Sequence, residues 1–222
     1  MTAPIHETER DPVARIAAWA KRNQRALTVG AAIVVGAGAL VYYFFAAERR
    51  REDFASRELS NARLVVASGN PALAATNLAQ LVATHAGTIA ADEAAILLAQ
   101  IRLSEGQADQ AVAELSSLVS RGPADQFVAP AYGLLGNALE QVGNRTEAAD
   151  AYRSAAEAAW YGVLKAQYLV DAARVLTDLG DTAQAAAAYE EVLRDLSETD
   201  VAAEARMRLA EMRKSGIEPP QP

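Results

Sequence analysis

Four glycines, Gly69, Gly106, Gly143 and Gly180, stand 37 residues apart, each spacing equal to the last. A fixed period of this size marks a chain built from repeated units, each of which buries its apolar face only by stacking on the next. The neighbouring columns keep the same register. Five residues after the glycine comes Ala74, Ala111, Ala148 or Ala185, nine after comes Leu78, Leu115, Tyr152 or Tyr189, and twelve after comes Leu81, Leu118, Ala155 or Val192. Seven before lie Ala62, Ala99, Gly136 and Ala173. Large and small columns alternate as a packed helix pair requires.

The glycine suits the C′ position of a first helix, where left-handed backbone costs a side chain about 1–2 kcal/mol and glycine little. The next residue is Asn70, Gln107, Asn144 or Asp181, and three of these four are good N-caps for a second helix. Each unit is therefore expected to be helix, tight turn, helix. These columns resemble the tetratricopeptide repeat. The third unit matches best, with Tyr132, Leu135, Gly136, Leu139, Gly143, Ala148, Tyr152 and Ala155 at the family's large, small and aromatic positions, and the second unit ends on Pro123. The first unit departs, with Asn61 at a usually apolar position and Leu78 in the aromatic column. A period of 37 against the usual 34 predicts lengthened turns between repeats. The resemblance covers residues 55–197. It implies an all-α α-solenoid of about four tetratricopeptide-like helix pairs with a C-terminal capping helix.

Ahead of the repeats, residues 26–47 run without a charge for 22 positions. At 1.5 Å per residue that is about 33 Å, just over the hydrocarbon thickness of a bilayer. Trp19, Lys21, Arg22 and Arg25 mark one end, and Tyr42, Tyr43, Phe44 and Phe45 the other, as basic and aromatic belts do at the two interfaces. A signal peptide would have a shorter apolar region and a small residue where Phe45 stands. The segment reads as an uncleaved transmembrane signal anchor. Five basic residues near each end, Arg10, Arg15, Lys21, Arg22 and Arg25 against Arg49, Arg50, Arg51, Arg57 and Arg63, leave the positive-inside rule tied. Long domains translocate largely regardless of charge, which favours a cytoplasmic N-terminus and an exported repeat domain. Gly30, Ala32, Gly36 and Gly38 give the anchor a small-residue face. Val13, Ile16, Ala17 and Ala20 give the preceding stretch an apolar stripe, which either lies on the membrane surface or begins the spanning helix.

The expected division is a tail and juxtamembrane stretch at 1–25, a transmembrane helix at 26–47, the repeat domain at 48–214 and a disordered tail at 215–222. Charge divides with it, since residues 1–25 carry a net +2 of the chain's −7. An acidic repeat domain is a poor counterion-release surface, so nucleic acid is not an expected partner. With no cysteine, disulfides and thiolate metal sites are excluded, while the compartment is left open.

This arrangement, with Trp19-Ala-Lys-Arg-Asn23 before a glycine-bearing spanning helix and a divergent repeat domain, resembles the YfgM-type ancillary subunits of the SecYEG translocon. Their repeat domains are grouped with that of the cell-division coordinator CpoB. The resemblance implies a single-pass protein of the bacterial inner membrane whose periplasmic domain contacts translocon subunits, periplasmic chaperones or exported chains. It transfers no contact residue.

The sequence shows no H-E-x-x-H, G-x-S-x-G, Walker A or dinucleotide glycine pattern. His6 lies in a polar tail and His85 near a helix C-terminus, where an imidazole complements the helix dipole. No catalytic residue, cofactor or metal is assigned, and the chain reads as a binding protein and not an enzyme. In a stacked array the first helices line the groove that takes partners. The column six before each glycine faces it: Arg63, Gln100, Asn137 and Arg174. All four are hydrogen-bond donors, suited to an extended peptide backbone or a carboxylate. Alternatively the column is polar because it faces water, and the array serves as a self-associating, membrane-tethered structural element or a coordinator of CpoB type.

Overall fold

The computed structural model describes residues 12–214, and His6 and the expected tail at 215–222 lie outside them. Among the described residues ten helices follow one another: α1 (Pro12–Arg22), α2 (Gln24–Ala67), α3 (Pro71–Thr84), α4 (Ile89–Ser104), α5 (Ala108–Arg121), α6 (Asp125–Gln141), α7 (Arg145–Ala158), α8 (Gly162–Asp178), α9 (Thr182–Asp195) and α10 (Val201–Lys214). Two units divide the chain, one ending at Arg50 and the other beginning at Arg51.

In the first unit, backbone bonding carries past the α1 boundary. The Asn23 N–H donates to the Trp19 carbonyl at 3.0 Å, and the Leu27 N–H to the Asn23 carbonyl at 2.9 Å. Helix α2 contains an apolar stretch long enough to cross a membrane, and none of that stretch is buried in the protein. Ile33, Val34, Val35 and Leu40 to either side of Gly36 and Gly38 are all exposed. A helix that is apolar all round and not covered by protein has the composition of a lipid-facing segment.

The second unit pairs the C-terminal part of α2 with α3, then α4 with α5, α6 with α7 and α8 with α9, and α10 closes the stack. Each pair turns on one of the periodic glycines, at φ of +80°, +73°, +86° and +78° in chain order. At the third turn the Gly143 N–H donates to the Glu140 carbonyl (3.0 Å) and the Asn144 N–H to the Leu139 carbonyl (2.8 Å). That two-bond pattern is a Schellman cap, which satisfies carbonyls the helix end would otherwise leave open. The equivalent bonds form at the other three glycines. Of the three expected N-caps, Asn70 and Asp181 accept from Leu73 and Gln184 at 3.1 Å, whereas the Asn144 side chain makes no capping bond. Gln107 instead accepts from Arg102 at 2.6 Å.

The columns are the core. Ala74, Ala111, Ala148 and Ala185 are fully buried, as are Leu78 and Leu115, and Tyr152 and Tyr189 are nearly so. Burying a leucine of this kind stabilises by about 1.5–3 kcal/mol. The small columns set how closely helices approach. A Cβ built on Gly136 would lie 2.8 Å from the Tyr152 ring, so α6 and α7 meet with glycine as the spacer. Helix α4 feeds two core clusters at once, Ala94, Leu98 and Ile101 packing toward α2 and α3 while Ala95 and Ala99 pack toward α5 and α6. Stacking of this kind is how each repeat covers its neighbour's apolar face.

The turn between the first and second repeats, 85–88, has four residues, but the extra residues of the 37-residue period are not in the turns that follow the second and third repeats. The α5–α6 and α7–α8 links, 122–124 and 159–161, have three residues each. The first helices take the length instead, α6 and α8 having 17 residues against 14 in α7 and α9. Carboxylates on the first helices then tie one repeat to the next. Glu52 of α2 accepts from the Ile89 and Ala90 N–H groups at the start of α4 (2.8 and 3.0 Å), and the buried Asp92 of α4 accepts from the Ala124 N–H (2.9 Å) just before α6. Open N–H groups at a helix start are where a carboxylate is most favourable.

Candidate partner-binding groove

Three successive first helices, α4, α6 and α8, present Gln100, Asn137 and Arg174 to one pocket of about 610 Å³. Along α6 its lining runs from Pro130 through Gly133, Leu134, Asn137 and Glu140 to Gln141 at the end of that helix. Glu140 of α6, Tyr152 of α7, and Tyr168 and Asp171 of α8 also line it. Gly133 is needed for this lining, since a Cβ there would come within 2.4 Å of the Tyr168 ring.

Polar contacts inside the pocket are specific. Arg174 donates from Nη1 to Oε1 and from Nη2 to Oε2 of Glu140, both at 2.7 Å, the parallel two-bond geometry a guanidinium makes with a carboxylate. The Tyr152 hydroxyl donates to Glu140 Oε2 at 2.8 Å. The bond from Arg174 holds the Glu140 carboxyl below its ordinary pKa against the opposing effect of burial, and Glu140 in turn raises Arg174. Burial, and then the adjacent Glu140, push the Tyr152 phenol well above its ordinary value. Asp171 is raised, chiefly by burial. Gln167 Nε2 donates to it at 3.3 Å, and its distance to Arg174 is 3.9 Å.

The four residues of the donor column are thus not alike. Gln100, Asn137 and Arg174 share the pocket, while Arg63 pairs with Glu93 of α4 and does not line it. Asn137 Oδ1 accepts from Gln141 Nε2 at 2.8 Å. Among the groove residues that the donor column omits are the charged Glu140 and Asp171 and the tyrosines Tyr152 and Tyr168. The signal for the two carboxylates is local: Asp171 and Glu140 stand three residues before Arg174 and three after Asn137, a spacing that puts side chains on one helix face.

Comparison with known families agrees with this architecture. The tetratricopeptide repeat-like domain matches residues 17–131 and again 45–167, and a tetratricopeptide repeat matches residues 166–194. No curated protein matches the sequence. Among solved structures, that of BtubC (BKLC) from P. vanneervenii is 21% identical, with a TM-score of 0.46 over 78% of this chain and 68% of that one. Repeat domains of this kind are typically non-enzymatic interaction modules. With well over half of its residues matched, the chain belongs to the tetratricopeptide repeat-like domain family, whose members are scaffolds for protein–protein interaction.

Proposed function

We infer that the chain is a membrane-anchored scaffold of the bacterial cell envelope, ancillary to the Sec translocon and to periplasmic chaperones. Residues 26–47 anchor it in the inner membrane with the N-terminus in the cytoplasm, and the repeats take protein segments in the periplasm. The observation that carries this reading is the joining in one chain of an uncovered apolar helix and a repeat array with a polar pocket on its first helices. The resemblance to YfgM-type proteins narrows the partners to translocon subunits, chaperones and exported chains. Self-association is the second reading. Trp160, Tyr161, Val163 and Leu164 are exposed together where α7 passes to α8, and clustered exposed apolar side chains mark contact surfaces. Photo-crosslinkers placed at Gln100 in the pocket and at Leu40 in the anchor, followed by mass spectrometry of the captured proteins, separate the two. Translocon subunits and chaperones are the expected catch. Recovery of the chain itself and nothing else from both positions would leave self-association in its place.

A further inference from the structure

The side chain that the pocket takes is set by which of its charges are already matched. Arg174 makes one bond from each terminal nitrogen to Glu140 at 2.7 Å, so its charge is already matched by a carboxylate within the pocket. Removing that pair from account leaves Asp171. Its contacts are a 3.3 Å bond from a neutral amide and a guanidinium 3.9 Å away that is already held elsewhere; 3.9 Å is beyond hydrogen-bond range. The pocket therefore carries one carboxylate in excess. Lining the pocket with it are Tyr168, whose phenol burial and Asp171 push above its ordinary pKa, and the half-buried apolar side chains of Pro130 and Leu134.

From this arrangement we propose that the pocket binds the lysine or arginine side chain of a partner protein segment, its cationic head on Asp171 and its apolar stem along Leu134 and Pro130. The proposal rests on the groove being the partner site. A long basic side chain is the type that buries its stem on apolar surface while its head finds a charge. The wider field acts in the same direction. From Arg51 onward the chain has 14 Lys and Arg against 24 Asp and Glu, a net −10, and such a surface steers cationic segments toward itself and repels acidic ones.

The test uses the full chain in detergent micelles with a photo-crosslinker at Gln100, and short Ala/Ser peptides that differ at one central position, Arg, Lys, Met or Glu. Arg and Lys peptides should crosslink about tenfold more than Met or Glu peptides at low salt, the difference a charge-assisted bond makes. Asp171→Asn should abolish that preference and leave the far-ultraviolet helical signal unchanged. If Glu or Met peptides crosslink as well as Arg, or if Asp171→Asn keeps the preference, the cationic occupant is wrong while the groove stands. If none of the peptides crosslinks from Gln100 even at millimolar concentration, the groove reading and the inference fail together.

Discussion

Arg174 on α8 and Glu140 on α6 are joined by two bonds of 2.7 Å across the boundary between the third and fourth repeats. The donor column on its own presents Arg174 as a ligand for a partner's carboxylate, and the structure gives that role to Glu140. Truncation therefore acts first on the protein itself. Arg174→Ala should lower stability by about 1–2 kcal/mol, less than for a fully buried pair because both side chains are partly exposed. Arg174→Lys should recover only part, since an ammonium cannot make both parallel bonds. Urea unfolding of the repeat domain measures both, and a parent-like midpoint for Arg174→Ala would remove the pair from the account of inter-repeat coupling.

The same pair sets a pH dependence. Glu140 has its carboxyl held below the ordinary 4.5 in the folded protein, with the Arg174 bond as the largest cause. A carboxyl with a depressed folded pKa contributes stability that is complete above its unfolded value and is lost as pH falls through the folded one. The stability gap between parent and Glu140→Gln should thus be constant near neutrality and close below about pH 4.5, toward the folded pKa. Thermal melts across that range should show the convergence. A gap that persists undiminished at about pH 3 would mean that ionisation of Glu140 is not its source.

Two glycines on α6 face tyrosines, and their substitutions should differ. A Cβ on Gly136 meets the buried Tyr152 ring at 2.8 Å, and the ring is wedged between helices with its hydroxyl on Glu140. Gly136→Ala should destabilise, because overpacking costs about 1–3 kcal/mol and outweighs the gain of about 1 kcal/mol that alanine brings to a helix. A Cβ on Gly133 meets Tyr168 at 2.4 Å, but Tyr168 lines the open pocket and its ring can swing. Gly133→Ala should therefore leave the melting temperature nearly unchanged while reshaping the groove, seen as altered quenching of tyrosine fluorescence. Equal losses of stability in the two variants would contradict this division.

The fold is legible in the sequence because each repeat repeats its constraints. A turn that needs left-handed backbone recurs as Gly69, Gly106, Gly143 and Gly180, and a helix crossing that needs a small residue recurs as Ala74, Ala111, Ala148 and Ala185. The pocket is legible only in part. Gln100, Asn137 and Arg174 follow from the period, but the Glu140–Arg174 pairing joins residues 34 apart that no periodicity distinguishes from solvated charges. The lengthened first helices escape the sequence for a related reason: a period counts residues without saying which element holds them, so the surplus reads equally well as longer turns.

Gly143 separates backbone strain from crowding. Its φ is +86°, and a Cβ built on it meets nothing within 4 Å. The cost of a side chain there is conformational alone, about 1–2 kcal/mol for an ordinary residue. Gly143→Asn should consequently be milder than Gly143→Val, since asparagine tolerates the left-handed region and a β-branched chain does not. Ala148→Leu, on the fully buried small column of the same repeat, should cost about 1–3 kcal/mol by overpacking. Denaturant midpoints rank the three. Asparagine no better than valine would show that space, not φ, controls the turn.

Topology is the remaining expectation, and a single fusion protein decides it. The apolar stretch of α2 lies uncovered, with Arg22 and Arg25 before it and Arg49, Arg50 and Arg51 after it, so basic residues alone do not orient it. A large domain can cross the membrane largely irrespective of its charges, and the proposed function has the repeats outside the cytoplasm. Alkaline phosphatase needs an oxidising compartment to form its disulfides, so a fusion after Pro222 should be active and should pellet with membranes through carbonate washing. A soluble active fusion would show that residues 26–47 are cleaved or do not span. An inactive fusion that stays in the membrane would reverse the orientation and put the pocket among cytoplasmic partners, with the basic-side-chain preference of Asp171 left to be met there.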